Sequence, residues 1–252
     1  MVDIVWLLPA ALAVGMLIGA VGIGGILLIP ALSAFAGLGI HEAMATALFT
    51  FIFTGLTGTA MFQHRGSIDW HITTPVCVGA VLFAFLGAWV NSLATSTALA
   101  VILAGIIIFA GIYTLAMWRG LREPAFHRHD RAQQALLLAV GAISGFGSGL
   151  TGVGGPALSV PLMVLFGFPA LTSIGASQVI QIIAAVSGSL GNFQFGTINF
   201  GIAAIVTLLE IAGVFAGARI VHAVSAALLR RFVALLCIAV GAVLFTRAMG
   251  SS

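Results

Sequence analysis

The chain of 252 residues contains no lysine, and charged residues of either sign make up only 6% of it. So little charge cannot cover a water-soluble globule of this length. With 61% hydrophobic residues and a mean hydropathy of +1.24, the composition is that of an integral membrane protein. Nine arginines carry the whole positive charge and leave a formal net charge of +3. They cluster in short connections between apolar runs, a pattern that speaks to orientation in a membrane and not to nucleic acid. Cysteine is equally scarce. Cys77 and Cys237 lie inside apolar runs, with no Cys-x-x-Cys pair and no histidine at ligand spacing, so neither a disulfide framework nor a metal site is expected. A P-loop is missing, which removes ATP as a direct energy source and implies no ATPase subunit. Gly-x-Ser-x-Gly and His-Glu-x-x-His are missing as well. Gly147-Ser148-Gly149-Leu150-Thr151-Gly152 fits Gly-x-Gly-x-x-Gly literally, but no strand–helix unit or acidic partner surrounds it. No enzyme and no cofactor is expected.

What the chain does contain, it contains twice. Gly22-Ile23-Gly24-Gly25, followed by Pro30, returns as Gly152-Val153-Gly154-Gly155, followed by Pro161. Gly66-Ser67-Ile68-Asp69-Trp70 returns as Gly196-Thr197-Ile198-Asn199-Phe200, and both pairs are offset by 130 positions. The chain therefore reads as two copies, residues 1–118 and 135–252, joined by a basic linker at 119–134. Eight apolar elements are expected: Ile4 to Phe35, Ala43 to Phe62, Ile72 to Asn91, Ala98 to Met117, Ala135 to Phe166, Leu171 to Phe193, Ile202 to Val221 and Ala226 to Thr246. Most have about the 20 residues that cross a bilayer as a helix. The first element of each copy is too long for one straight span and is broken near its middle by the glycine cluster. A duplicated, glycine-broken hydrophobic segment is the pattern of a secondary transporter whose solute binds where the copies meet.

The arginines choose between two topologies. If each broken element crosses once, the copies are parallel; if each turns back as a re-entrant hairpin followed by three transmembrane helices, the copies are inverted. In the second arrangement Arg65, the linker arginines Arg119, Arg122, Arg128 and Arg131, and Arg219, Arg230 and Arg231 fall on one side, leaving Arg247 opposite. The expected fold is thus all-α and membrane-embedded, with inverted repeats, a cytoplasmic linker and both termini outside. Asp3, with no basic residue before the first apolar stretch, fits poorly with a cleaved signal peptide.

Irregular backbone at membrane depth is tolerated only where it is buried in protein or lines a cavity. The two breaks therefore imply a lined site. Helices restarting near Ile26 and Pro156 would aim backbone N–H groups and positive dipole ends at it, which suits an anion. Proline at a first helical position needs no N–H, and glycine lets a solute approach the backbone. Gly22, Gly24, Gly25, Gly152, Gly154 and Gly155 are accordingly candidate solute-binding positions. Gly15-x-x-x-Gly19, Gly141-x-x-x-Gly145 and Gly213-x-x-x-Gly217 read instead as close helix packing.

The paired Gly-x-Gly-Gly segments, their downstream prolines, and Gln63-His64-Arg65-Gly66-Ser67-Ile68-Asp69-Trp70 with its weaker echo Gln194-Phe195-Gly196-Thr197-Ile198-Asn199-Phe200 resemble the TauE/SafE family of sulfite exporters. The resemblance runs nearly the full length, and its specificity lies in the order and repetition of short motifs. It implies a bacterial inner-membrane permease for sulfite, an organosulfonate such as sulfoacetate, or another small anion, moved commonly outward. The second copy has Gln194-Phe195 where the first has His64-Arg65, so any role of that basic pair belongs to one half.

Polar residues on the helices after the breaks complete the candidate site. Thr46, Thr50, Thr54 and Thr57 recur along one helical face, and Ser177, Gln178 and Gln181 occupy the matching region of the second copy. Such neutral donors can hold an oxyanion and still release it; equally, hydroxyls in membrane helices bond their own carbonyls. Among side chains, Gln178 and Gln181 stand out, because an amide at midplane is costly to leave alone. His64 and Arg65 fall at the cytoplasmic rim, and Asn192 and Gln194 also nearer the cytoplasmic end, as gate or entrance residues. Glu210, mid-span with no basic neighbour one turn away, is a candidate proton-coupling residue. An anion channel of the same architecture is the alternative reading.

Overall fold

The computed structural model describes residues 4–21, 24–116, 130–220 and 226–250. Within them every regular element is helical: α1 (Ile4–Val21), a 3-10 turn (Gly25–Leu27) leading into α2 (Leu28–Phe35), α3 (Ile40–His64), α4 (Trp70–Leu93), α5 (Ser96–Ala116), α6 (Asp130–Thr151), α7 (Pro156–Leu165), α8 (Ala170–Phe195), α9 (Phe200–Ile220) and α10 (Ala226–Gly250). Among the described residues α3, α4, α5, α6, α8 and α9 are long and apolar enough to cross a membrane. Their outward faces carry large apolar side chains such as Leu82 and Leu208, each more than two-thirds exposed, as lipid-facing positions should be. The linker expected at 119–134 falls largely outside the described residues, as does Gly22.

The repeated Gly-x-Ile-Asx-aromatic motif is a helix start. Asp69 caps α4, its Oδ1 accepting from His71 N at 2.9 Å. Asn199 does the same for α9, its Oδ1 accepting from Ile202 N at 3.1 Å. In each case the side-chain oxygen satisfies a first-turn amide that has no partner within the helix. Gly66, at φ +64°, ends α3 in the left-handed region, with the amide of Ser67 donating back to Phe62 O at 3.0 Å.

The chain reverses at both breaks. A side chain on Gly24 would collide with the backbone of Val14 and Ile18, and one on Gly147 with Leu158. In a continuous helix, residues ten apart lie about 15 Å from each other, so these contacts exist only because α2 folds back along α1, and α7 along α6. The arms are unequal: α6 has 22 residues and α7 has 10. The first arm can reach across most of a bilayer, while the second returns about halfway.

The copies are interlocked through their glycines. Gly15 and Gly19 of α1 lie against the backbone of Glu210 and Val214, and Gly213 and Gly217 of α9 against Leu12 and Met16. Gly141 and Gly145 of α6 meet Val76 and Ala80 of α4 in the same manner. Each hairpin thus packs mainly on the other copy, α1 along α9 and α6 along α4, both in parallel. Small residues let the backbones touch, which is how helices gain packing energy when lipid is as apolar as they are. The matching helices of the two copies run in opposite directions. Gly55 of α3 faces Ile182 of α8 while Gly58 faces Gln178, and Gly111 of α5 faces Ala234 and Ile238 of α10 while Gly241 faces Ala104 and Ile108.

Candidate functional site

The second break is built by backbone that only glycine adopts without strain. Gly152 has φ +66° and Gly154 φ +85°, after which Pro156 opens α7. α6 thereby ends with a carbonyl that needs a partner, and Asn91 of α4 supplies it: its Nδ2 donates to Leu150 O at 2.6 Å. Asn91 Oδ1 is in turn 3.1 Å from His41 Nδ1. The break is therefore held from two further helices, α4 directly and α3 through Asn91.

Both breaks point into one place. A small cavity of about 10 Å³ is lined by Gly25 and Ile26 of the first break, by Val153, Pro156 and Ala157 of the second, and by Phe51 and Gln181 from the middles of α3 and α8. That volume holds about one water and is too small for a polyatomic anion. A larger groove of about 420 Å³ at the starts of α4 and α6, lined by Trp70, His71 and Gln134 among others, lies on the outer surface and away from the breaks. The convergence of the two breaks and the buried amide single out the small cavity.

Gln181 is the polar anchor of this cavity. Its Nε2 donates to Thr54 Oγ1 at 2.9 Å and lies 3.3 Å from Phe51 O, and the side chain is buried. Gln178, one turn earlier, is also buried, but neither its Nε2 nor its Oε1 has a hydrogen-bond partner among the described residues. Leaving such an amide unpaired costs on the order of 1–3 kcal/mol.

The other sequence candidates separate. Thr50 Oγ1 donates to Ala47 O at 2.8 Å and Ser177 Oγ to Ile174 O at 2.7 Å, so both hydroxyls are spent on their own helices. Thr46 Oγ1 accepts from Asn199 N at 3.0 Å, tying α3 to the start of α9, and Asn199 Nδ2 also reaches Glu42 Oε1 at 3.3 Å. Glu210 is fully buried; it extends toward Thr50, yet among the described residues neither carboxyl oxygen has a partner in hydrogen-bond geometry. Its pseudo-equivalent, 130 positions earlier, is Ala80, so the carboxyl belongs to one copy only.

His64 and Arg65 are exposed at the end of α3; Asn192 is buried and Gln194 exposed at the end of α8. The sequence reading set both pairs toward one side. Because α3 and α8 run antiparallel, the pairs instead lie at opposite ends of the bundle, Asn192 near the Ala88 level of α4 and His64 at the turn into α4. Sequence reasoning also passed over Asn91, Glu42 and Asn199 as polar ties between copies. Asn199 carried a signal, since it stands at the capping position of a motif already recognised as repeated.

A family model described as "Sulfite exporter TauE/SafE" matches residues 7–244. The chain belongs to the TauE/SafE family. Curated relatives are membrane transporters by name. A "Probable membrane transporter protein YdhB" of Bacillus subtilis (strain 168) is 26% identical over 208 residues, covering 81% of this chain and 85% of the relative. "Probable membrane transporter protein YunE" of the same organism is 27% identical over 209 residues, covering 74% of this chain and 76% of the relative. "Probable membrane transporter protein MJ0441" of Methanocaldococcus jannaschii is 23% identical over 203 residues, covering 76% and 74%. No solved structure matches the chain. This TauE/SafE member is accordingly a multi-pass membrane transporter.

Proposed function

We propose that the protein is a secondary transporter exporting a small sulfur-containing anion, such as sulfite or a short organosulfonate of the sulfoacetate kind, by alternating access between two inverted repeats. The observation that carries this reading is the cavity at which both broken hairpins and Gln181 converge. Helix starts and amide hydrogens offer an anion donors without a fixed cation, so the solute would be held and still released. Solute identity rests on the family, whose description names sulfite. Gly24, Gly25, Gly154, Gly155, Gln178 and Gln181 are the contacts we assign to it, and we take the small cavity as an occluded state between two open ones.

The inverted arrangement is supported by the opposed directions of α3 and α8 and of α5 and α10. Arg65, Arg131 and the helix ends that carry Arg219, Arg230 and Arg231 share one end of the bundle, which we assign to the cytoplasm of a bacterial inner membrane, with the termini outside. Glu210 is the residue we assign to proton coupling, because a carboxylate ionised at the bilayer centre costs about 2.5–3.5 kcal/mol and this one has no hydrogen-bond partner among the described residues.

Counterflow in proteoliposomes tests the reading, with sulfite, sulfoacetate, sulfate and acetate compared. Saturable counterflow confined to the sulfur anions is expected. Flux that neither saturates nor shows counterflow would identify a channel, and flux of acetate alone would remove the sulfur anions from the assignment.

A further inference from the structure

The crossing of α3 and α8 is closed on each side of the cavity by a contact between a glycine and a long side chain. On the side toward His64 and Arg65, Gly58 meets the amide of Gln178; on the other side, Gly188 meets Leu48. These contacts are each other's counterparts at the repeat offset of 130, Gly58 with Gly188 and Leu48 with Gln178. They differ in one respect, which is polarity.

That difference is informative because the fold contains its own control. Leu48 is fully buried and fills its half of the crossing with no polar atom to satisfy. The same job on the other side is done by a buried amide with both ends unpaired. Packing alone favours leucine there, since the unpaired amide carries a cost the leucine avoids. Glycine at position 58 makes the room that the amide occupies, as any side chain there would strike the Gln178 Oε1. Gln178 precedes Gln181 by three residues, so the two amides lie on the same face of α8 as successive steps.

We infer that Gln178 and Gly58 form a polar transit site, through which an oxyanion passes between the central cavity and the end of the protein that bears His64 and Arg65, while Leu48 and Gly188 form a dry barrier on the opposite side. The inference rests on the proposed carrier reading. In the occluded state the Gln178 amide is held unpaired, and a passing sulfonate or sulfite oxygen, or its water, supplies the missing acceptor for Nε2.

The test follows an anionic thiol reagent, 2-sulfonatoethyl methanethiosulfonate, instead of the transported solute. Ala157→Cys, with Val153→Cys as a second reporter, is placed in a chain carrying Cys77→Ala and Cys237→Ala, and sealed vesicles of both orientations are labelled. Labelling of His64→Cys identifies the side. Reaction of the cavity cysteine is expected to be about tenfold faster from the His64 side, the equivalent of about one hydrogen bond gained in passage. Gln178→Leu should remove that advantage, and Leu48→Gln should speed labelling from the opposite side. Gly58→Ala gives an independent variant, because the three atoms nearest its new Cβ are Oε1, Cδ and Cγ of the Gln178 side chain and none is backbone; it too should slow entry from the His64 side. Equal rates from both sides, faster entry past Leu48, no labelling from either side, or indifference to both Gln178→Leu and Gly58→Ala would overturn the inference. Since no solute is followed, asymmetric labelling combined with absent counterflow would retain the route and discard the sulfur-anion assignment.

Discussion

The amide of Gln181 lies 3.3 Å from the backbone carbonyl of Phe51, and the two residues are 130 positions apart, the same interval that separates the two glycine breaks. They are counterparts in the two copies that meet each other where α3 and α8 cross. At this meeting point one copy offers a ring and the other an amide, so a site built from duplicated parts becomes chemically one-sided.

Gln181→Ala is therefore expected to lower transport by about tenfold or more, since it deletes the donor that Thr54 holds in place, a loss on the scale of one or two hydrogen bonds. Thr54→Val, which leaves the amide present but unheld, should have a smaller effect of the same sign. Initial rates of counterflow measure both, with elution as a single folded species as the control.

Replacing Gly154 by alanine forces a side chain to φ +85°, at a cost of about 1–2 kcal/mol. Gly152→Ala adds a collision with the Met44 backbone and should be the more damaging of the two. Thermal unfolding in detergent, followed by loss of the monodisperse peak, is expected to fall in that order.

The two helix caps make a matched pair. Asp69→Asn installs in α4 the residue that already caps α9, and is expected to be near neutral in thermal unfolding. Asp69→Ala should cost about 1 kcal/mol of stability, because the amide of His71 loses its acceptor. A drop for the asparagine variant as large as for alanine would show that the charge, and not the cap, is what matters there.

Glu210→Gln keeps shape and removes the ionisable proton. With no hydrogen bond to the wild-type carboxyl from any described residue, stability should be little changed. Counterflow, which needs no gradient, should persist, while accumulation driven by an imposed pH gradient should be lost. Accumulation at the wild-type level would remove Glu210 from the coupling step.

Much of this could be read from the sequence because the glycines and the repeat leave local marks. The matched Gly-x-Gly-Gly segments forecast the two breaks, and the offset of 130 forecast which helices correspond. Gln181 could be singled out because an amide has few cheap fates in a membrane. What could not be read was partner choice. That Thr46 would accept from Asn199, or that Asn91 would close the end of α6, depends on which helices meet, and periodicity along one helix says nothing about its neighbour. The two kinds of hydroxyl were likewise indistinguishable: Thr50 bonds its own helix and Thr54 serves Gln181, yet both share one face. The sides of the gate pairs were misassigned because equivalent helix ends look alike in sequence and fall apart in space once α3 and α8 run in opposite directions.

The interlocked hairpins also set an order of assembly. α1 leaves the ribosome long before α9, whose surface Gly15 and Gly19 fit. Until then those glycines lack their partner helix, and the first hairpin is held mainly where α2 packs on α3. The α4 groove, by contrast, waits only for α6, the next long helix after α5. Maturation of the nascent chain should thus close on the second hairpin early and on the first hairpin last, and a chain stopped before α9 would leave its own beginning undocked.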